Sequence, residues 1–457
     1  GASTLVGGSG QTTMIAGTGN TTFIGGAGPD TMIGGSGHAY FIVNNSNDVV
    51  QAKANGGYNV IQSSVSFTAP ANVSALTLTG TANLVARAND GTITLTANSG
   101  NDTLYGGAGA STLVGGSGQT TMIAGTGNTT FIGGAGPDTM IGGSGHAYFI
   151  VNNSNDVVQA QANGGYNVIS SSVSFTAPAN VNALSLTGTA NLVARANNGT
   201  ITLTANSGND TLYGGAGTDT LIGGSGNSTM IGGTGATTFI SGSGSDTMIG
   251  GSGHSYFIVN NTTDVVRAQA NGGYNTIQSS VSYTAPANVS ALVLSGSSAL
   301  TATANDGTIT LTANNAGDTL IGGAGTDTLI GGAGKDTLIA GTGASIMTGG
   351  GGADTFVFKA IANTGTLTHP AIVTDFSSAQ GDLIDLSAID ANTSISGHQG
   401  FTFVGTNAFS HKAGELHYSV TNSGVLLQGD VNGDGVADFN ILLSHATSLT
   451  AHDVLLG

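Results

Sequence analysis

Large apolar residues recur along this chain every nine positions: Met14, Phe23, Met32 and Phe41 are each preceded by Thr or Tyr and followed by Ile. Side chains alternate across an extended strand, so the large residue faces inward and its two neighbours face out. Glycines separate the triplets and predict tight turns in which Gly supplies positive φ angles, while the Thr-Met-Ile and Thr-Phe-Ile segments predict very short strands. Two nonapeptides make one coil, and coils of this kind stack at about 4.8 Å. The predicted fold is all-β, a parallel β-roll or β-solenoid of glycine-rich nonapeptides.

A longer period encloses the short one. The stretch "GASTLVGGSGQTTMIAGTGNTTFIGGAG" at Gly1 returns at Gly109, and a relative of it begins at Gly217, so the long period is twelve nonapeptides, or six coils. The domain plan is therefore three copies, 1–108, 109–216 and 217–324, then a final roll block at 325–358 and a C-terminal β cap at 359–457, where the nine-residue period is lost. Between the nonapeptide blocks, pieces such as "ALTLTG", "NLVARAN" and "TITLTAN" are also strand-like and about nine apart, so the roll is expected to continue through them.

Composition narrows the chemistry. The chain has 457 residues with 78 Gly, no Cys and no Trp, and 39% hydrophobic residues, enough to bury a core despite the glycine. Only seven Lys+Arg oppose 24 Asp+Glu, a net charge of −17, which leaves no basic patch to neutralise a nucleic-acid backbone. Glu415 is the only glutamate, and short carboxylates in glycine turns suit a hard cation, which makes calcium the expected cofactor. The absence of Cys removes disulfides, thiolate metal sites and cysteine catalysis together. No apolar run approaches the length of roughly 20 residues that a membrane-spanning helix needs. The chain begins inside a repeat, which suggests a piece of something longer or a processed form.

The unit resembles the repeat-in-toxin (RTX) nonapeptide, G-G-x-G-x-D-x-(large apolar)-x, and the intervening stretches are similar to spacers between such blocks in large secreted bacterial calcium-binding proteins. From Asp354 onward, "GGGGADTFVF", "IVTDFSSAQGDLIDLSAIDAN", "FTFVG", "GDVNGDGVADFNILL" and "SLTAHDVLL" resemble the C-terminal domain of serralysin-type secreted metalloproteases. That resemblance implies a domain that caps the roll and carries a type I secretion signal, with Asp453, Val454, Leu455 and Leu456 matching its acid-then-apolar ending. It implies the type I secretion apparatus as a partner and a location outside a Gram-negative cell, secreted or at the cell surface.

In a roll of this type a calcium lies between turns two nonapeptides apart, held by turn carbonyls and a carboxylate from each turn. The sixth position of each unit therefore reports on the site. In the second copy one side reads Asp102, Thr120, Asp138 and the other Ser111, Thr129, Ala147, so no adjacent pair keeps both carboxylates. The third copy carries Asp210, Ser228, Asp246 and Asp219, Thr237, Ser255. Only Asp318, Asp336 and Asp354 follow one another at two-nonapeptide steps, beside Asp327 and then Ser345, so calcium is expected to concentrate there. Isolated Asp30, Asp138 and Asp246 admit two readings, weak calcium sites or side chains that hold their own turns. The loop "DVNGDGVAD", with Asp430, Asn432, Asp434 and Asp438 at EF-hand-like spacing, reads equally as a cation loop or as a turn between two strands, since Ile441 stands where an EF-hand has its glutamate.

The zinc motif H-E-x-x-H is absent, so no protease activity is carried over. His38, His146 and His254 recur in "GSGH", where a pH-sensitive or metal contact competes with a solvated turn residue. The chain is expected to be no enzyme but an extracellular calcium-binding structural protein that self-associates into an S-layer, filament or matrix. The alternative is a non-catalytic secretion and folding module of a larger toxin, hydrolase or adhesin. Outward rows such as Thr13, Thr31, Thr121 and Thr139 beside Ile15, Ile33, Ile123 and Ile141 are the candidate contacts, and a cell-surface polysaccharide is a further candidate partner.

Overall fold

A computed structural model describes residues 1–457. Its strands are mostly three to five residues long, and its only helical pieces are two 3-10 turns, Ile361–Thr364 and Ala451–Asp453. The chain divides into two compact units, Gly1–Thr229 and Met230–Gly457.

In the first unit one wall is an unbroken parallel ladder running from Ser3–Val6 through Thr21–Ile24, Ala39–Val43 and Asn59–Ser63 to Asp219–Ile222. Register advances by two nonapeptides within the repeat blocks, as in Leu5↔Phe23 and Phe23↔Phe41. Through the spacer the steps are uneven, Phe41↔Ile61, Ile61↔Leu76 and Leu76↔Leu95, yet together they span three regular coils. The roll thus runs through the spacer, as the apolar pattern predicts.

The opposite wall is interrupted. Thr13–Ile15, Thr31–Ile33 and Val49–Gln51 form one short sheet, and a six-stranded sheet begins afresh at Phe67–Thr68 and ends at Val157–Gln159. A further sheet begins at Phe175–Thr176. Each break falls where a two-residue strand runs into Ala-Pro, at Pro70 and Pro178, which have no N–H for a ladder. Asn72 and Asn180, at φ 64° and 65°, then turn the chain back.

The core matches the nine-residue pattern. Phe23, Met32, Phe41, Met122, Phe131, Met140 and Phe149 are fully buried. Phe23 and Phe41 stack at 4.8 Å between ring centroids, as do Phe131 and Phe149, the spacing expected of the strands that carry them. Burial of each such side chain contributes about 1.5–3 kcal/mol.

The second unit repeats this plan, with Phe239 on Phe257 and then leucines at 320, 329 and 338 filling the centre. Its ladders run past position 358. His369–Val373 pairs in parallel with Ile346–Thr348, and Leu383–Asp385 pairs with Thr355–Val357. A short antiparallel pairing of Gly365 and Thr366 with Pro370 and His369 lies between these steps, and after Leu383–Asp385 the architecture changes to an antiparallel meander of Glu415–Thr421, Gly424–Asp430 and Phe439–Ser444. The tail residues Val454 and Leu455 form a final parallel strand on Ile384 and Asp385.

The reading of the repeat glycines needs correcting in one respect. Positive φ in the nonapeptide turns occurs only at Gly350 and Gly352, so the other turns do not use the left-handed region. Close approach is what demands glycine there: a Cβ on Gly26 would lie 1.8 Å from the Gly8 carbonyl oxygen one coil away, and one on Gly134 would lie 1.9 Å from that of Gly116.

Candidate calcium-binding turns

Most sixth-position aspartates perform two backbone tasks. Asp30 Oδ2 accepts from the amide of Gly26 in its own turn at 2.6 Å, and Oδ1 accepts from the amide of Thr12, one coil back, at 2.9 Å. Asp138 repeats this with Gly134 and Thr120, Asp102 with Asn98 and Leu84, and Asp210 with Asn206 and Leu192. In the final block Asp318 takes Asn314 and Leu300, Asp327 takes Gly323 and Ile309, and Asp336 takes Gly332 and Asp318. Asp219 Oδ2 accepts from Gly215 and Asp246 Oδ2 from Gly242. All of these side chains are buried. An aspartate here is a staple between coils, with spare lone pairs left for a cation.

Hydroxyls take over half of that work. Thr120 Oγ1 accepts from Gly116 at 3.2 Å and Ser111 Oγ from Gly107 at 3.2 Å, longer bonds than the 2.5 Å of Asp138 to Gly134. The turn is closed without a charge.

The pairing read from the sequence is incomplete. Asp30 is followed on the same side by Asp48, whose Oδ1 accepts the Asp30 amide at 2.9 Å and whose Oδ2 accepts from Asn44 and Asn45. Asp138 is followed by Asp156 and Asp246 by Asp264 in the same way. So every copy does keep an adjacent carboxylate pair, in the coil that leads into the spacer. The signal lies in the sequence: Asp48 stands two nonapeptides after Asp30 and precedes Val49 and Val50, of which Val50 is buried like the large residue of a nonapeptide.

The final ladder also extends beyond Asp354. Asp382 Oδ1 accepts the Asp354 amide at 3.0 Å, a longer step than the regular two nonapeptides, because ten residues are inserted between the coils. Asp375 joins from the same stretch, accepting from Gly349 and Gly350. Asp354 leaves an oxygen unmatched, as Asp219 does with its Oδ1: Asp354 Oδ1 accepts the Asp336 amide at 2.8 Å, but its Oδ2 is buried with no hydrogen-bond partner. Burial, reinforced by the carboxylates of Asp382, Asp336 and Asp375, pushes Asp354 up to about 6. Burial also raises Asp138, Asp219, Asp318, Asp327 and Asp382.

This donor set fits calcium. It is all oxygen, and the gap between turns is lined by backbone carbonyls: a Cβ on Gly350 would lie 2.2 Å from Gly332 O, and one on Gly352 would lie 2.2 Å from Gly334 O. No three acidic or histidine side chains converge into a cage, so carbonyls would have to supply much of the coordination. The orphaned oxygen of Asp354 among three further carboxylates is the place where an added cation would relieve most repulsion.

The loop at 430–438 is internally closed. Asp430 accepts from Gly433 and Gly435, Asn432 from Asp434, Asp434 from Val436, and Asp438 from Val431 and the Asn432 amide group. Its carboxylates hold the loop's own backbone, the geometry of a turn between the strands Gly424–Asp430 and Phe439–Ser444. The repeated histidines have a structural task as well: His38 Nδ1 accepts the Tyr58 amide at 2.7 Å, His146 that of Tyr166 at 2.7 Å, and His254 that of Tyr274 at 2.9 Å.

Comparison with a known family agrees with the geometry. The family model described as the RTX calcium-binding nonapeptide repeat (4 copies) matches residues 6–41, 15–50, 89–122, 123–159, 199–230, 231–254, 312–347 and 330–359, together a little under half of the chain. Among solved structures, the chain is similar to the solution structure of a subunit of the Azotobacter vinelandii mannuronan C5-epimerase, at 25% identity over 38% of this chain and 82% of that one, with a TM-score of 0.24. No curated protein matches the chain. No helix is long and apolar enough to cross a membrane. The stapled glycine turns and the matched segments show that the chain carries RTX calcium-binding nonapeptide repeats, repeats whose cation is calcium.

Proposed function

We infer that this is an extracellular structural protein, non-catalytic, that uses calcium to rigidify its roll and self-assembles at the surface of a Gram-negative cell as an S-layer, filament or matrix component. The observation that carries the reading is register. Copies of twelve nonapeptides hold whole coils, so Ile15 and Ile123, and Thr13 and Thr121, occupy equivalent outward positions beside their strand partners Ile33 and Ile141, Thr31 and Thr139. Ile33, Ile123 and Ile141 are half-buried and reach the surface, and such rows on a surface poor in charge suit packing against identical neighbours.

Calcium is assigned first to the ladder of Asp318, Asp336 and Asp354 with Asp382, then to the pairs led by Asp30, Asp138 and Asp246, and after them to Asp102, Asp210, Asp219 and Asp327, each of which closes a turn of its own. The loop of Asp430, Asn432, Asp434 and Asp438 is a weaker candidate. Export through a type I apparatus rests on the resemblance of the C-terminal hundred residues to serralysin-type domains and on the Asp453–Leu456 ending. The competing reading, an accessory module of a larger secreted protein, makes no demand on self-association.

Sedimentation and negative-stain imaging of the calcium-loaded chain separate the two. Ordered arrays or fibres that vanish in the Ile15→Lys, Ile123→Lys variant, with the monomer still folded, are the expected result, because packing would bury the new charges. A wild-type chain that stays monomeric at high concentration with calcium rejects the self-assembly reading.

A further inference from the structure

The two breaks in the interrupted wall of the first unit open into grooves of about 600 and 580 Å³. The first is lined by Val49, Ser66, the half-buried ring of Phe67, Pro70 and the exposed Arg87. The second has Val157, Ser174, Phe175, Pro178 and Arg195 in the same places. These grooves hold two of only seven basic residues in a chain of net charge −17. Neither arginine is loose: the Arg87 guanidinium lies 3.9 Å over the Tyr105 ring and that of Arg195 lies 3.9 Å over Tyr213. Held flat, each guanidinium still offers edge N–H groups to a planar anion.

The third copy supplies an internal control. Its groove carries Tyr283 where the others have Phe, Thr303 where they have Arg, and Ile321 in place of the supporting tyrosine. The Tyr283 hydroxyl accepts from the Val266 amide at 3.1 Å and donates to the Asp264 carbonyl at 3.2 Å, so the groove satisfies itself. Phe67 and Phe175 have no hydroxyl. The corresponding donors, the amides of Val50 and Val158, and acceptors, the carbonyls of Asp48 and Asp156, are left for a visitor. Asp48 and Asp156 also line the grooves, but their carboxylates are tied to the Asp30 and Asp138 amides.

We propose that the grooves at Phe67/Arg87 and Phe175/Arg195 are binding subsites for a carboxylate-bearing glycan. A sugar hydroxyl takes the place of the missing tyrosine hydroxyl, bridging the Val50 amide and Asp48 carbonyl. The apolar face of the sugar ring packs on Phe67 and Pro70, and its carboxylate receives Arg87. Strand addition by a peptide fits less well, because nearby backbone groups are already capped: the Val85 amide by Ser66 Oγ, the Ala52 carbonyl by Asn72 and the Pro70 carbonyl by Asn89. The two sites are one copy apart, six coils or about 29 Å along the first unit at about 4.8 Å per coil, so one glycan strand reaches both. Elsewhere the acidic surface repels the same polymer, which confines it to the arginine-bearing grooves.

Titration calorimetry of the whole calcium-loaded chain with a short oligogalacturonate tests this, with a maltooligosaccharide of equal length as the neutral probe and an oligo-aspartate as the peptide probe. The expected result is two equivalents bound per chain, with both comparison probes weaker by about tenfold or more. Phe67→Tyr with Phe175→Tyr, and separately Arg87→Thr with Arg195→Thr, should each lose binding by a similar factor with thermal unfolding unchanged, since the third copy carries those residues naturally. Placing Phe, Arg and Tyr at Tyr283, Thr303 and Ile321 should add a third equivalent. Equal binding of the neutral sugar or of oligo-aspartate overturns the proposal. So does oligogalacturonate binding that survives the arginine substitutions, which would mark adsorption through bound calcium.

Discussion

The turns at Ser111, Thr120 and Thr129 and the turns at Asp318, Asp336 and Asp354 occupy the same place in the coil, but they settle their electrostatics in opposite ways. The first group closes its turns with hydroxyls, each making one bond to a turn amide or carbonyl. The second closes them with buried carboxylates that bridge coils, and then accumulates charge until one oxygen, Asp354 Oδ2, has no partner. A hydroxyl ladder is weaker per rung and neutral. A carboxylate ladder is stronger per rung and complete only with a cation. Calcium dependence in this fold is therefore a local property of composition at one position in nine.

Chelation should produce the largest difference between the regions. With calcium removed near neutral pH, amides of the strands Thr337–Ile339, Thr355–Val357 and Leu383–Asp385 should exchange about 100-fold faster or more, the factor expected when a ligand present at a hundred times its Kd is withdrawn. Amides of Ser111–Val114 and Thr121–Ile123 should change little. Hydrogen exchange read by mass spectrometry checks this, and uniform acceleration along the chain would erase the distinction.

Single substitutions come next. Asp336→Ala removes the acceptors of the buried Asp318 amide and the part-buried Gly332 amide, and should destabilise the calcium-loaded fold by about 2–4 kcal/mol. Thr120→Ala removes one bond of 3.2 Å and should cost about 1 kcal/mol or less. Denaturant unfolding of the two variants measures the contrast.

Much of this is legible in sequence and some is not, for identifiable reasons. The inward residue of each strand is readable because a two-residue side-chain period and a nine-residue repeat together leave one position for Met14 or Phe23. The role of glycine is misassigned because sequence does not distinguish a residue needed for positive φ from one needed to let a neighbouring carbonyl approach. Asp48, Asp156 and Asp264 escape a motif-based reading because they stand outside the glycine turn, although their two-nonapeptide step marks them. Asp382 is concealed by the ten-residue insertion, which shifts its place in sequence and leaves its place in the ladder intact. The grooves come from pairing that fails to form at Phe67 and Phe175, and an absent strand pair has no simple sequence signature.

Acid should act most strongly at the Asp354 end of the carboxylate ladder. The folded-state pKa of Asp354, about 6, lies above the 3.8 of the free side chain, so the metal-free fold holds this proton more tightly than the unfolded chain does. Its contribution to metal-free stability is full below 3.8 and is lost as pH rises through about 6. Calcium competes for the same oxygen, so apparent calcium affinity at this end should fall as pH drops below about 6, and Asp354→Asn should flatten that dependence. Calcium titrations at a series of pH values check both; an unchanged pH profile in the Asn variant would remove Asp354 from the site.

The smallest effect is the most pointed. Thr120 lies between Asp102 and Asp138, and its amide is already bound by Asp138 Oδ1. Thr120→Asp would place a carboxylate where Asp336 stands in the C-terminal ladder, with Oδ2 toward Gly116 and Oδ1 toward the Asp102 amide. Those two bonds favour the fold, while repulsion from Asp102, Asp138 and Asp156 opposes it, so in chelator the variant should unfold within about 1 kcal/mol of the parent. With calcium it should be more stable than the parent, and exchange in Thr121–Ile123 should become calcium-sensitive where before it was not. If the variant gains no calcium response, a carboxylate at the sixth position is not sufficient to make a site, and the insertion carrying Asp375 and Asp382 becomes the feature that sets the C-terminal block apart.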